Sequence, residues 1–238
     1  MAILNFQKPD KIILQKANEF EASFEFRPLE PGYGVTIGNA LRRVLLNSLE
    51  GYAIIGIFIE GAEHEFATLK GVTEDVTEII LNLKQVRFKK ILDTDISQEK
   101  LILSIKGKSE FTAATIGEAT ASFQVMNPEL LICTLDPSSK LNIEITIGKG
   151  RGYVPSEDNK VKDPPFGYIP TDSIFTPIKN VKYGIENFRV EQRTDYEKLL
   201  MDVQTDGTIQ PEEAVKQASR ILIQHLMIIT DENITFDS

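Results

Sequence analysis

Apolar and polar positions alternate along the chain in patterns that predict its elements one after another. In "KIILQKANEFEASFEFRP", residues 11 to 28, Phe20, Ala22, Phe24 and Phe26 take every second position, the period of a half-buried strand. "PLEPGYG" follows, and its Pro28, Pro31, Gly32 and Gly34 predict a turn. In "TIGNALRRVLLNSLEG", residues 36 to 51, the period changes to that of an amphipathic helix. At about 100° per residue Ile37, Leu41, Val44 and Ser48 fall along one side, Ala40 and Leu45 flank them, and Gly51 is placed to end the helix. Leu46 points the opposite way, between Arg42 and Arg43. A leucine there is either an exposed side chain or part of a contact with another chain.

"AIIGIFIEG" then reads as a strand, and "TEDVTEIILNLKQV" puts Val76, Ile79, Ile80 and Leu83 at helical spacing. Glu74 and Asp75 stand in the first turn of that helix, where its dipole favours acids. From Arg87 to Ile147 the chain predicts short, mostly antiparallel strands: "VRFKKIL", "KLILSIKG", "SEFTAATI", "ASFQVMN", "LLICTL" and "KLNIEITIG". Five of the eleven prolines lie between Pro155 and Pro177, which makes this stretch a seam or partner-binding loop rather than part of a regular layer. "VKYGIENFRVEQ" and "KLLMDVQTDG" follow as two strands. The last helix starts at Pro211, with Glu212 and Glu213 in its first turn. It carries Val215, Ala218, Leu222, Leu226 and Ile229 on one side, yet Ile223, Met227 and Ile228 spread its apolar surface far beyond one stripe. A helix apolar over most of its girth is buried on more than one side, and a dimer seam supplies a second side without a larger monomer.

Composition narrows the class. The 238 residues, 42% hydrophobic, suffice for real cores in one large domain or two small ones. Twenty-six basic against thirty-five acidic residues give a net charge of −9, which disfavours broad binding to nucleic-acid phosphates. The one cysteine, Cys133, lies in the apolar "LLICTL" and suits a reducing, cytoplasmic compartment. No apolar run approaches the ~18 residues of a membrane span, and the N-terminus has no secretion-signal pattern.

The candidate chemistry is thin. His64, among Glu60, Glu63 and Glu65, has the residue types of a carboxylate–histidine metal site, but a solvated strand end or loop is the favoured reading. His225 sits on the apolar side of the last helix as a packed or interface residue around which no triad is proposed, and two histidines build no His-rich metal site. An apolar setting suppresses the thiolate of Cys133. "GKGRGY", residues 148 to 153, is the one phosphate-like loop, with Gly148, Gly150 and Gly152 beside Lys149 and Arg151. It lacks the Walker and dinucleotide patterns and reads as a basic, partner-touching turn. A small-ligand or phosphate-binding enzyme using this loop is the alternative function. No catalytic residue, metal site or cofactor is expected.

"PLEPGYGVTIGNALRRVLLNSLEG" resembles the first-helix signature of the bacterial RNA polymerase α subunit. "EGAEHEFATLKGVTEDVTEIILNLKQV", "LNIEITIGKGRGYVP" and "TDSIFTPIKNVKYGIENFRVEQRTDYEKLLMDVQTDGTIQPEEAVKQASRILIQHL" resemble later segments of the same subunit, in the same order. The resemblance implies an α+β fold. A discontinuous α+β dimerisation domain, residues 1–50 and 173–238, would hold an inserted β-rich domain, residues 51–172. It implies a non-catalytic subunit of a nucleotidyltransferase complex, DNA-directed RNA polymerase, that homodimerises and scaffolds assembly of the β and β′ catalytic subunits.

Position by position, the resemblance assigns Arg43 and Leu46 to contact with the β subunit, and Lys84, Thr171 and Asp172 to contact with β′. The first and last long helices form the dimer interface, here Ile37, Leu41, Val44, Leu45, Leu222, Leu226 and Ile229. Thr171 stands where a relative has an aliphatic residue, and Asn47 replaces a serine. The family continues through a linker into a small DNA-binding domain, whereas this sequence stops at Ser238, so direct DNA recognition is not expected of these residues.

Overall fold

The computed structural model describes residues 11–92, 96–161, 163–190 and 193–229. The fold is α+β, in two compact units: Met1–Leu49 with Pro177–Ser238, and Glu50–Thr176. No helix among the described residues is long and apolar enough to cross a membrane.

The first unit is built on a four-stranded antiparallel sheet in the order β1-β2-β14-β13, with β1 Lys11–Ala17, β2 Glu21–Leu29, β13 Ile178–Val190 and β14 Arg193–Thr205. The single strand predicted over 11 to 28 is therefore a hairpin. It turns at Asn18, whose side-chain oxygen accepts from the N–H groups of Phe20 and Glu21 at 2.8 and 2.6 Å. That local bond competes with strand geometry. Ala22 and Phe24 lie opposite Val203 and Met201 of β14, and all four are buried. Pro28 belongs to β2 rather than to the turn, which comes at Pro31 and Gly32. Glu191 and Gln192, which close the predicted strand "VKYGIENFRVEQ", lie outside the described residues.

Helices α1 (Tyr33–Asn47) and α4 (Pro211–Met227) complete this unit. Ala22, Phe24, Leu29, Leu45, Leu49, Leu199, Met201, Val203, Ala214 and Ala218 form its core. Helix α1 starts three residues earlier than the predicted 36 and ends at Asn47. Gly51 does not stop it but pairs with Gly150 inside the next strand. Pro211 opens α4 at its first helical positions, as the sequence predicts.

The second unit has a six-stranded sheet. Its main path runs β5-β9-β3-β4-β7, with β3 Glu50–Ile59, β4 Phe88–Lys90, β5 Gln98–Lys106, β7 Phe123–Val125 and β9 Lys140–Arg151, and β11 (Tyr168–Pro170) also pairs with β3. A short pair, β6 (Glu110–Thr112) and β8 (Leu131–Thr134), lies beside it. Phe88, Phe111, Phe123, Ile79, Leu83, Ile116 and Ile132 are almost wholly buried in this core, with the Phe88 and Phe123 rings edge to face at 6.0 Å.

Three predictions in this unit need correction. The proline-rich stretch from Pro155 to Pro177 is not outside the regular layers: β11 joins the six-stranded sheet, and β12 (Ser173–Ile174) pairs with β10 (Tyr153–Val154). Half of "SEFTAATI" is helix α3, Ala113–Ala119. A strand period over so short a stretch does not exclude one helical turn packed by Ala113 and Ile116. Helix α2 is Val76–Leu83, and Asp75 is its N-cap rather than a first-turn residue. Asp75 accepts from Glu78 N–H at 2.8 Å, and Glu78 accepts in return from Asp75 N–H at 3.3 Å, a capping box. Glu74 turns away instead, accepting the Thr134 N–H at 2.7 Å.

Candidate subunit-contact surfaces

On the first unit, α1 settles against β13 and β14 through two glycines. A Cβ on Gly34 would lie 2.7 Å from Glu197 Oε2, and one on Gly38 would lie 2.8 Å from Tyr183 Cδ2 and 2.9 Å from Leu199 Cδ1. The buried side of α1 is accordingly Gly34, Gly38, Leu41 and Leu45, one helical position round from the stripe that apolar residues alone predict. Glycine carries no hydrophobic weight in such a pattern, although it permits the closest approach. Arg42 is tied down through Nε, which donates to the Val181 carbonyl at 3.2 Å.

Arg43, one position on, is exposed, and among the described residues its side chain makes no ion pair or hydrogen bond. Leu46 is not the outward leucine predicted: it is half-buried and packs against the core of this unit, keeping part of its surface beside Arg43. The expected dimer residues divide. Leu41 and Leu45 are 3% and 0% exposed, so they hold α1 to its own sheet and have no surface to give a second chain. Ile37, Val44 and Leu222 are half-buried at the edge of this core. Leu226, Ile228 and Ile229, at the end of α4, are 58, 82 and 76% exposed.

On the second unit, Lys84 caps the C-terminus of α2, and its Nζ donates to Asp172 Oδ2 at 2.7 Å. Asp172 Oδ1 accepts the Ser156 N–H at 3.0 Å. The Lys84 ammonium, then the Ser156 amide, hold the Asp172 carboxyl below the ordinary aspartate range against the opposing effect of burial. Thr171, expected beside them at a contact, is instead 2% exposed, and its hydroxyl donates to the Ile54 carbonyl at 3.0 Å. Its side chain is thus a buried tether to β3, at the floor of the groove that the ion pair borders. Apolar side chains stand near the ion pair: exposed Phe66 and Leu81 and half-buried Pro170 join Lys84 and Asp172 around one groove. Periodicity gives no reason to single these out, because Phe66 lies in a loop and Leu81 reads as an ordinary outward helix position.

The stretch 148 to 153 is no phosphate loop. Gly148 and Gly150 pair in the β9 ladder with Ala53 and Gly51 of β3, which engages the main chain a phosphate cradle would need free. Both cations meet Glu50, Lys149 at 3.0 Å and Arg151 at 2.6 Å, and these two bonds hold the Glu50 carboxyl below its usual range. The ligand-binding enzyme reading loses its site. Burial pushes the Cys133 thiol up to about 12, with Glu74 adding to the shift, so it stays protonated at neutral pH. His64 is exposed near Phe66, and His225 is exposed with Nδ1 2.7 Å from the Ile221 carbonyl. Among the described residues no three His, Cys, Asp or Glu side chains converge as metal ligands.

A family model described as the RNA polymerase Rpb3/RpoA insert domain matches residues 55–176. The chain is 59% identical over all 238 residues to the DNA-directed RNA polymerase subunit alpha of Cytophaga hutchinsonii, covering 72% of that protein, and equally to that of Flavobacterium psychrophilum. To the subunit of the same name from Salinibacter ruber it is 51% identical over 220 residues, 92% of this chain and 66% of that protein. The chain belongs to the family of bacterial DNA-directed RNA polymerase α subunits.

Proposed function

We propose that this chain, a non-catalytic α subunit of DNA-directed RNA polymerase, forms a homodimer and holds the β and β′ catalytic subunits on separate exposed surfaces. The observation that carries this reading is the end of α4. The last turn of α4 and the two residues after it present Leu226, Ile228 and Ile229 to solvent, an apolar surface that enters no core among the described residues. A second copy would bury it, with the partly open Ile37, Val44 and Leu222 as further contributors.

The uncommitted Arg43, with the open part of Leu46, supports a contact to the β subunit, since arginine is prominent among interface anchors. The Lys84–Asp172 pair supports a separate contact to β′. Co-expression with the two large subunits tests the reading: the chain forms α₂ and captures β, and Arg43→Ala leaves α₂ intact while weakening capture. A chain that stays monomeric at micromolar concentration and captures neither large subunit refutes it.

A further inference from the structure

We propose that the groove between α2 and β11 receives one bulky apolar side chain of the β′ subunit against Phe66 and Leu81, with the Lys84–Asp172 pair left closed at its side. This rests on the reading of the Lys84 face as a subunit contact and names what that contact recognises. The groove has a volume of about 190 Å³. An apolar cavity of about 150 Å³ takes up one benzene ring, so the space fits a single aromatic or large aliphatic side chain. Phe66 is 75% and Leu81 53% exposed, and Ile80 and Pro170 extend this apolar wall, while Lys84, Asp172 and their polar neighbours form the other side of the groove. Aromatic side chains such as Phe66 are enriched in binding surfaces relative to the rest of the protein exterior.

The charges there are already matched. Asp172 meets the Lys84 ammonium and the Ser156 amide. An acidic partner would have to break that pair and leave Asp172 without its cation as water is excluded, which is costly. An uncharged apolar side chain leaves the pair whole. The groove is also held in shape before anything binds. The Thr77 hydroxyl donates to the Glu65 carbonyl at 2.8 Å, fixing the loop that carries Phe66, and the Asp75–Glu78 box fixes the start of α2. Preformed walls spare the ordering cost of association.

The test uses the full chain co-expressed with both large subunits and recovered through a tag on α. Wild type is expected to retain β′ with little change between about 0.1 and 1 M salt, because screening acts on exposed charges and not on apolar burial. Phe66→Ser with Leu81→Ser lowers β′ capture by about tenfold or more, while β capture, circular dichroism and α₂ formation stay at wild-type levels. Phe66→Leu, which keeps an apolar wall, retains most of the capture. Wild-type capture that the double variant does not weaken overturns the groove as the seat of binding, and capture that collapses with salt overturns its apolar character. Failure of the wild-type chain to capture β′ at all refutes the subunit-contact reading and this inference with it.

Discussion

Glu197 of β14 caps a helix 163 residues earlier in the chain: its Oε2 accepts the N–H of Gly34, and its Oε1 that of Gly32, each at 2.8 Å. Helix α1 has no side-chain cap of its own and no acid in its first turn. One carboxylate therefore satisfies two orphan donors and opposes the positive end of the dipole. Glu197→Ala is expected to lower stability by about 1–2 kcal/mol. Glu197→Gln should cost less, because its amide oxygen keeps one acceptor. Urea unfolding at a fixed protein concentration measures both, and an unchanged midpoint for the alanine variant would show that the cap is idle.

Gly38 sets how closely α1 lies on the sheet. Alanine there gains helix propensity worth about 1 kcal/mol. Its methyl, however, would stand 2.8 Å from Tyr183 Cδ2 and 2.9 Å from Leu199 Cδ1, and Leu199 is fully buried. Overpacking of that kind costs about 1–3 kcal/mol, so the clash outweighs the propensity and Gly38→Ala is destabilising. Gly184→Ala, where a Cβ would meet nothing within 4 Å, is the control and should be close to neutral. Thermal midpoints of the two variants side by side decide the point.

These two residues show where sequence reasoning reaches its limit. The helices around Leu41, Ile79 and Val215 and the strands around Phe24 and Ile143 follow from periodicity, because burial of one face imposes it. The rotation of α1 does not, since Gly34 and Gly38 have no weight in a hydrophobic pattern yet settle which side meets the sheet. The pairing of β2 with β14 is equally beyond local reading, and so is the capping by Glu197 that it brings about. Of the contact residues taken from family resemblance, Arg43 proves exposed whereas Thr171 is a buried tether. Motif likeness transfers position and carries no information on exposure.

The Lys84–Asp172 pair makes stability fall on acidification. Its partners hold the Asp172 carboxyl below the ordinary value of about 3.9 that it regains on unfolding. The stabilisation is therefore complete above that unfolded value, declines as pH drops through the interval below it, and is gone beneath the folded value. Asp172→Asn should lower the urea midpoint at pH 7, and its difference from wild type should shrink as pH falls below about 4. A difference that stayed constant from pH 7 to pH 3 would mean that the ion pair contributes nothing.

Leu41 and Leu226 stand on neighbouring helices of one unit and should fail in opposite ways. Leu41 is 3% exposed, so Leu41→Ala leaves a cavity and costs about 2–5 kcal/mol, read as a lower unfolding midpoint. Leu226 is 58% exposed, and with Ile229 at 76% it can take a charge without disturbing the fold of its own chain. Leu226→Lys with Ile229→Lys is therefore expected to leave far-ultraviolet circular dichroism unchanged while the mass from light scattering drops from dimer to monomer. The introduced lysines would have to be buried against a second copy's apolar surface, and an uncompensated buried charge is too costly for that contact to survive. A double variant that remained dimeric at low micromolar concentration would remove the end of α4 from the interface.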